Sequence, residues 1–548
     1  MNRLSVRDYV LAVVIFVIAF TFFLNFLHIP EPRSFRDEGQ FFYGAERILE
    51  GQLIYRDFHE IQYPGSFYLL AALFSVFGSR LETGRVFTYI LVASGVAIYF
   101  LIIRTVVRSL LFSFTPVLVI VFFGFPQWPG SLPHWFSFFT NALSIFLLHQ
   151  HVIRKKISYS FFAGVFSGIS FSIIQNEGIF LFAAGILFLW IHSKFFISPE
   201  ESKVKLSPYF FTIGFLIIGL IPPVYFLIKG AFFDFMDSTF FYLFKNYLPA
   251  NKIPEFGYFT SIVVQNLISK IEIVKGVTGI FMVYGIIAII YFIQYGLILI
   301  YGLSFSKFLY NWFTRHIRES EMSPNLLLLI IAGVFLFFSQ IHKPDPVRIM
   351  FVSFPGLILT SNLVESTKGI IRTFVNLICL SILIVIFIYS FGIIQDFKKY
   401  NCVVNTEGGQ IYFNNYKLCD ELNDLQRFVK DLLKEDRRVY IHNWEVQYYF
   451  LFKLKNPVSV DGLLMGHNSL QQYQSSLAIL KHHPPEIILT DRILEMMIKD
   501  PTKGAMPTLS PEVLKNDPIW EFIKQNYTQL LVFPASGLTL WKRSSFTR

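Results

Sequence analysis

The sequence predicts an α-helical polytopic membrane protein of about eleven transmembrane helices, followed by a C-terminal extracytoplasmic α/β domain. Three observations predict it. Of 548 residues, 54% are hydrophobic and 15% charged, whereas ordinary soluble domains carry about 25% charged residues. Apolar runs such as "YVLAVVIFVIAFTFFLNFL" and "LICLSILIVIFIYSFGII" reach the roughly 20 residues a helix needs to cross a bilayer. After about residue 392 the composition shifts abruptly to mixed polarity.

Taken in order, the apolar segments fall at about 9–28, 83–103, 109–125, 134–150, 158–174, 178–193, 207–228, 277–302, 325–341, 347–362 and 372–392. The first is long and lacks a small-residue cleavage site, so it is read as a helix rather than a signal peptide. The stretch "SFYLLAALFSVFG" at 66–78 is too short to cross and predicts an interfacial or re-entrant helix.

The connectors set the orientation. Alternate ones carry Arg3 and Arg7; Arg104 and Arg108; Arg154, Lys155 and Lys156; Lys194, Lys203 and Lys205; Lys307, Arg315 and Arg318; Lys368 and Arg372. The opposite connectors around 126–133 and 175–178 carry none. By the positive-inside rule the first set is cytoplasmic. The net charge of +10 and pI of 9.2 are then a signal of topology and give no support for nucleic-acid binding. The first loop (29–82), the loop at 229–276 and the tail all fall on the extracytoplasmic side.

The chain divides into a membrane domain, 1–392, and a soluble extracytoplasmic domain, 393–548. In the tail, helical patterns ("CDELNDLQRFVKDLLKED", "NSLQQYQSSLAILKHH", "PIWEFIKQNY") alternate with short apolar runs ("RVYIHN", "EIILTD", "QLLVF", "LTLWKR"), which predicts an α/β layer. Cys379 reads as packing within a span. Cys402 and Cys419 share a compartment that permits a disulfide, and two free thiols fit the sequence as well.

The first loop reads "SFRDEGQFFYGAERILEGQLIYRDFHEIQYPG". Ser34 and Asp37 have capping-box spacing, with Asp37 at the third position of a helix that Gly51 ends. Phe41, Phe42, Ala45, Ile48 and Leu49 give that helix an apolar side. On spacing alone, Asp37 is an acid placed by the helix dipole.

The longer pattern "RDEGQFFYGAERILEGQLIYRDFHEIQYPGSFYLLAALFSVFG", followed by "GRVFTYIL", resembles the first loop of GT-C glycosyltransferases. These include the protein O-mannosyltransferases and the lipid A aminoarabinose transferases. The resemblance covers about residues 1–110 and loosens at "HWFSFF", "QNEG" and "HKPDPVRIMFVSFPG". It implies an inverting transfer of a sugar from a polyprenyl-phosphate donor to an envelope glycan, lipid or protein acceptor at the membrane surface. Asp37 takes the base role, and Glu38 supports it or helps to hold a divalent metal. The aminoarabinose transferases carry a Lys beside Pro where this chain has Gln62-Tyr63-Pro64; Tyr63 is a candidate substrate contact there, and another cation is expected to meet the donor's phosphate. Lys343 and Arg348 fill that role, with Arg36 beside the base.

The remaining candidates are weighed by position. His134 and Trp135 open a span where aromatic belts are routine, and His134 is also a candidate substrate contact. Glu177 either lines a cavity or is solvated. His342, Lys343, Asp345 and Arg348 cluster on the loop side, where cations run against the positive-inside bias and favour an anionic ligand. His59 reads as a surface residue near the Pro. A transporter would show broken helices and midplane polar residues; the sequence shows neither. A non-catalytic envelope-assembly protein is the other alternative. No appended sugar-binding repeat of the eukaryotic mannosyltransferases is evident, which favours a bacterial inner-membrane enzyme of envelope glycan or lipopolysaccharide modification.

Overall fold

The computed structural model describes residues 4–30, 32–250, 260–261, 264–265, 277–314, 324–433, 437–442, 445–463, 468–491 and 517–544. Arg3, Arg315, Arg318 and most of the 251–276 part of the predicted 229–276 loop lie outside the described residues.

Every one of the eleven apolar segments falls on helix, but their lengths differ. Among the described residues eight helices are long and apolar enough to cross a membrane, with a ninth if a bent pair counts as one span. Ile157–Ile173 has 17 residues and Pro324–Ser339 has 16. At about 1.5 Å per residue they fall short of a hydrocarbon core of about 30 Å. The bent pair is Pro346–Val352 and Phe354–Glu365, which meet at 74°. This overturns the expectation of unbroken helices. Pro355 follows the break and is the cause: it has no N–H, and its ring excludes the carbonyl four residues back.

The first helices build the frame. They are α1 (Val6–Phe23), α2 (Pro32–Leu49), α3 (Gly65–Phe77) and α4 (Leu81–Val106). Next come α5 (Leu110–Val119), α6 (Pro133–Arg154), α7 (Ile157–Ile173) and α8 (Gln175–Phe195). A capping box does start α1, where the Ser5 and Asp8 side chains each accept from the other's backbone N–H. Asp8 also pairs with Arg104 at 2.8 Å, tying the start of α1 to the end of α4. α7 packs on Ser207–Gly219 by backbone contact. A Cβ on Gly164 would lie 2.0 Å from the Phe211 carbonyl oxygen, and one on Gly214 would lie 2.2 Å from that of Phe161. Small residues at helix crossings are how membrane bundles gain close packing. The last span, Gly369–Phe397, shows many exposed apolar side chains, among them Ile370, Phe374, Leu377 and Phe387, as a lipid-facing helix does.

The tail forms the expected α/β layer. Strands β1 (Cys402–Thr406) and β2 (Gly409–Phe413) make an antiparallel hairpin. β3 (Val439–His442), β4 (Ile487–Asp491), β5 (Tyr527–Phe533) and β6 (Leu538–Arg543) form a four-stranded sheet in the order β3-β4-β6-β5. Only β3 and β4 are parallel in it. Each of the four apolar runs read from the sequence is one of these strands, and each of the three helical patterns is a helix. Cys402 and Cys419 are disulfide-bonded, with Cα atoms 6.3 Å apart. Cys379 is free and half-buried.

The hairpin seats the tail on the membrane helices. The Leu81 N–H donates to the Gly408 carbonyl at 2.7 Å, and the Tyr412 N–H to that of His28 at 2.9 Å. The first loop and the tail therefore share one end of the bundle.

Candidate functional site

α2 begins at Pro32, which suits a first helical position because its missing N–H would be unpaired there. Its first turn holds no acid. Ser34 therefore lies inside the helix, and Asp37 sits in the second turn. Ser34 and Asp37 therefore do not occupy the N-cap and third helical positions that the predicted capping box requires, and the dipole-cap explanation of Asp37 goes with it. Gly51, at φ +91°, does end the segment as expected. Asp37 is partly buried.

Glu38 is fully buried against Arg85 of α4. Arg85 Nε donates to its two oxygens at 3.0 and 3.1 Å, and Nη2 donates at 2.6 Å. The Ser131 backbone N–H adds a fourth bond at 2.8 Å. Arg85 Nη1 meanwhile donates to the carbonyls of Phe26, Leu27 and Ile29 at 2.9–3.1 Å. These carbonyls lie at and just beyond the end of the first span, where that of Phe26 also accepts from the Ile29 N–H at 3.2 Å. One buried ion pair thus joins the end of the first span, α2, α4 and the loop before α6. With its oxygens so engaged, Glu38 does not fit a metal ligand. Among the described residues no three His, Cys, Asp or Glu side chains come together as a metal site.

The loop held by Glu38 runs directly into α6, whose second residue is His134. His134 Nδ1 lies 2.8 Å from Glu177 Oε1. Glu177 is fully buried, which removes the solvated one of its two readings. It also accepts from Ser137 at 2.5 Å, Asn141 at 3.2 Å and Gln340 at 3.2 Å. A buried carboxylate needs such donors. The His134 ring stacks on Phe351, with centroids 4.9 Å apart and planes within 9°.

The 342–348 segment completes this wall. His342 is exposed, with Nδ1 3.2 Å from the Ser339 carbonyl. It lies within electrostatic reach of His134, Lys343 and Arg348. Lys343 and Arg348 are partly buried, and the Arg348 guanidinium sits 5.9 Å over the Trp128 ring. Asp345 caps the helix that follows, accepting from the Val347 N–H at 2.8 Å. Its role is local.

The other predicted residues are placed differently. Tyr63 is buried, with its ring against Phe171, Phe235 and Phe240. His59 is half-buried, its ring edge-on to Tyr242. Arg36 forms an ion pair with Glu445 of the C-terminal domain. Glu445 is buried, and burial raises its carboxyl to about 7 despite the opposing Arg36.

Sequence reasoning missed several partners. Gln40 Nε2 donates to both oxygens of Glu60, at 3.0 and 2.8 Å. Burial pushes the Glu60 carboxyl up to about 8. The signal for Glu60 was a lone carboxylate inside "FHEIQYPG". Arg85 was visible as the Arg entering the second span. Gln340, Asn141 and Glu445 left no local signal.

Read together, α2, the 128–134 loop, the start of α8 and the 342–348 segment meet at one end of the bundle. His134, Glu177 and Arg348 share one side of that end, with Lys343 in electrostatic reach of His342, and the helix bearing Asp37 is tied to it through the Glu38–Ser131 bond. Such an arrangement can take a proton on one side and meet phosphate charge on the other.

No family model matches the sequence, and no curated protein matches it significantly. Solved structures do. ArnT from Cupriavidus metallidurans bound to undecaprenyl phosphate superposes over 98% of this chain and 98% of its own, with TM-score 0.57 and 11% identity. Its apo state gives 0.56 and 10%, over 97% of each chain. The Archaeoglobus fulgidus oligosaccharyltransferase tethered to an acceptor peptide with the NVT sequon gives 0.51 and 11%, over 98% of this chain and 74% of that one. The protein therefore has the GT-C fold of polytopic membrane glycosyltransferases.

Proposed function

We propose that the protein is an inverting glycosyltransferase of the bacterial inner membrane. It moves a sugar from a polyprenyl-phosphate donor to an envelope glycan, lipid or protein acceptor on the extracytoplasmic face. The observation that carries this reading is the Glu38–Ser131 hydrogen bond. It couples the helix bearing Asp37 to the loop that delivers His134, beside Arg348.

In this reading Asp37 accepts the acceptor's proton as the new C–O bond forms. A positioned carboxylate contributes on the order of 10²–10⁴-fold in rate. Arg348 grips the donor phosphate through two hydrogen bonds and Lys343 adds a point charge. Glu38 acts through Arg85 to hold α2 in place, and no step is routed through a metal. The Lys/Arg asymmetry of the connectors supports a cytoplasmic N-terminus.

The test is transfer by the purified protein from mannosyl, galacturonosyl, hexosaminyl and aminopentosyl polyprenyl phosphates to envelope extracts. Transfer from at least one donor, lost by about 10²-fold or more in Asp37→Asn, is expected. Absence of transfer from all four would overturn the reading. The bend at Ser353 favours the transporter alternative, which instead requires solute flux in proteoliposomes without sugar transfer.

A further inference from the structure

A histidine whose ring is fixed at both of its degrees of freedom stands out within this wall. Glu177 holds Nδ1 at 2.8 Å. Phe351 fixes the ring plane from one face, with Trp128 at 6.2 Å. Glu177 is itself locked by Ser137, Asn141 and Gln340, and Ser170 donates to Asn141 at 2.7 Å. A buried five-residue shell thus orients one imidazole. Its Nε2 has no hydrogen-bond partner among the described residues and is not sealed off in the interior. A carboxylate on one ring nitrogen fixes the tautomer and leaves the other nitrogen directed at a ligand.

The charged groups around the ring agree on what that ligand is. Glu177 of α8 faces it from below. His342 reaches His134, Lys343 and Arg348 electrostatically. The N-terminal turn of the 22-residue α6 adds a partial positive charge. Apart from Glu177, whose oxygens are spent on inward donors, this face attracts an anion.

Resting on the glycosyltransferase reading, we infer that His134, oriented by Glu177, is the acid that meets the departing phosphate. As the acceptor's hydroxyl proton passes to Asp37, the bond from the sugar's anomeric carbon to the phosphate oxygen breaks. Its electron pair stays on that oxygen, and the Nε2 proton of His134 moves onto it. Asp37 then carries the acceptor's proton and His134 is left neutral. Protons and charge balance without any further reactant. Glu177 is a positioning residue, since it acts only through the imidazole.

The test is binding of a short-chain prenyl phosphate, the lipid product of transfer, to the full-length protein in nanodiscs at about pH 5.5–8.5. The phosphate's own second ionisation, near 6, is common to all variants and cancels when each is divided by wild type. His134→Gln is expected to bind about tenfold or more weakly at the acidic end and equally at the alkaline end. Arg348→Ala, by contrast, loses affinity at every pH. Glu177→Gln leaves the imidazole in place, so the tight-binding limb persists but its midpoint moves to lower pH. This variant carries the test if His134→Gln does not fold. A pH-independent ratio for His134→Gln, or an unmoved midpoint for Glu177→Gln, would refute the role of the dyad. Failure of the wild type to bind prenyl phosphate at any pH would instead sink the glycosyltransferase reading.

Discussion

Asp37 and Glu38 are neighbours of the same chemical class, and the structure predicts that they fail in different ways. Glu38 accepts three bonds from Arg85 and one from the Ser131 N–H, with essentially no solvent contact. Glu38→Gln keeps the shape but leaves the Arg85 guanidinium buried without its counter-charge. Removing one partner of a buried pair costs about 3–5 kcal/mol, a large share of a typical stability of about 5–15 kcal/mol. Replacing both partners by leucine would ordinarily recover much of that loss. Here it does not, because Arg85 also serves the carbonyls of Phe26, Leu27 and Ile29. The Phe26 carbonyl would keep the Ile29 N–H, but those of Leu27 and Ile29 would lose their Arg85 donor, and each buried carbonyl left without a donor costs about 1–3 kcal/mol. Asp37→Asn keeps a hydrogen-bonding side chain on a partly buried position, so its stability should stay within about 0.5 kcal/mol of wild type while turnover collapses. The assay is detergent thermal unfolding of Glu38→Gln, Asp37→Asn and the double leucine variant, run beside sugar transfer. A wild-type melting temperature for Glu38→Gln with activity lost as in Asp37→Asn would place Glu38 in the chemistry and refute its positioning role.

Further outcomes follow from other parts of the molecule. Lys343→Ala and Arg348→Ala should each weaken donor use by about ten- to a hundredfold, the equivalent of about 1.5–3 kcal/mol for a charge-assisted hydrogen bond. The acceptor KM should not change, and Arg348→Lys should rescue only in part; donor titrations read the result. Burial raises the Glu60 carboxyl from 4.5 to about 8, so between those values the folded protein holds a proton that the unfolded chain releases. Stability must then fall as pH rises through that window, by on the order of 3–5 kcal/mol at most. Glu60→Gln should flatten the slope of melting temperature against pH, leaving the smaller share that Glu445 contributes in the same direction. Reporter fusions at residues 155 and 400 should lie on opposite sides of the membrane. The same side for both would undo the orientation.

What was legible in the sequence is what local pattern controls. Apolar runs of about 20 residues had to be helix, because within a bilayer a segment of that length satisfies its own backbone hydrogen bonds as a helix, while barrel strands are about half as long. Alternation in the tail gave all four strands of the sheet. The β1–β2 hairpin went unread, although "TEGGQ" between two β-rich runs is a turn signal. The bend at Ser353 was also within reach, since Pro355 interrupts an otherwise continuous run. The error over Asp37 is instructive. Capping-box spacing at Ser34 was real but competed with Pro32, which pre-sets the helical φ two residues earlier. Glu177 shows the opposite limit. Its neighbours in sequence are ordinary, and only the approach of Gln340 and His134 from distant helices turns a loop-edge acid into a buried, saturated one.

The placement of Asp37 depends most on residues that no local reading reaches. One face of α2 packs on the membrane helices, through Phe41 on Phe67, Phe42 on Phe74 and Glu38 on Arg85. The opposite face lies under the C-terminal domain. Tyr43 stacks on Tyr449 with centroids 4.9 Å apart, and Arg47 pairs with Asp461 at 2.5 Å. In proteins most helical stability comes from tertiary packing rather than propensity, so these two faces of contact are what hold the 18-residue helix. Asp37 falls between two of them. Arg36 reaches Glu445 on one side. On the other, a Cβ on Gly39 would lie 2.4 Å from the Gln447 Cα, so only glycine admits the domain this closely. A carboxylate that must meet an acceptor within hydrogen-bond reach gains its precision from such support. The C-terminal domain is therefore part of the architecture of the candidate site, and its strands and helices do for Asp37 what the Glu177 shell does for His134.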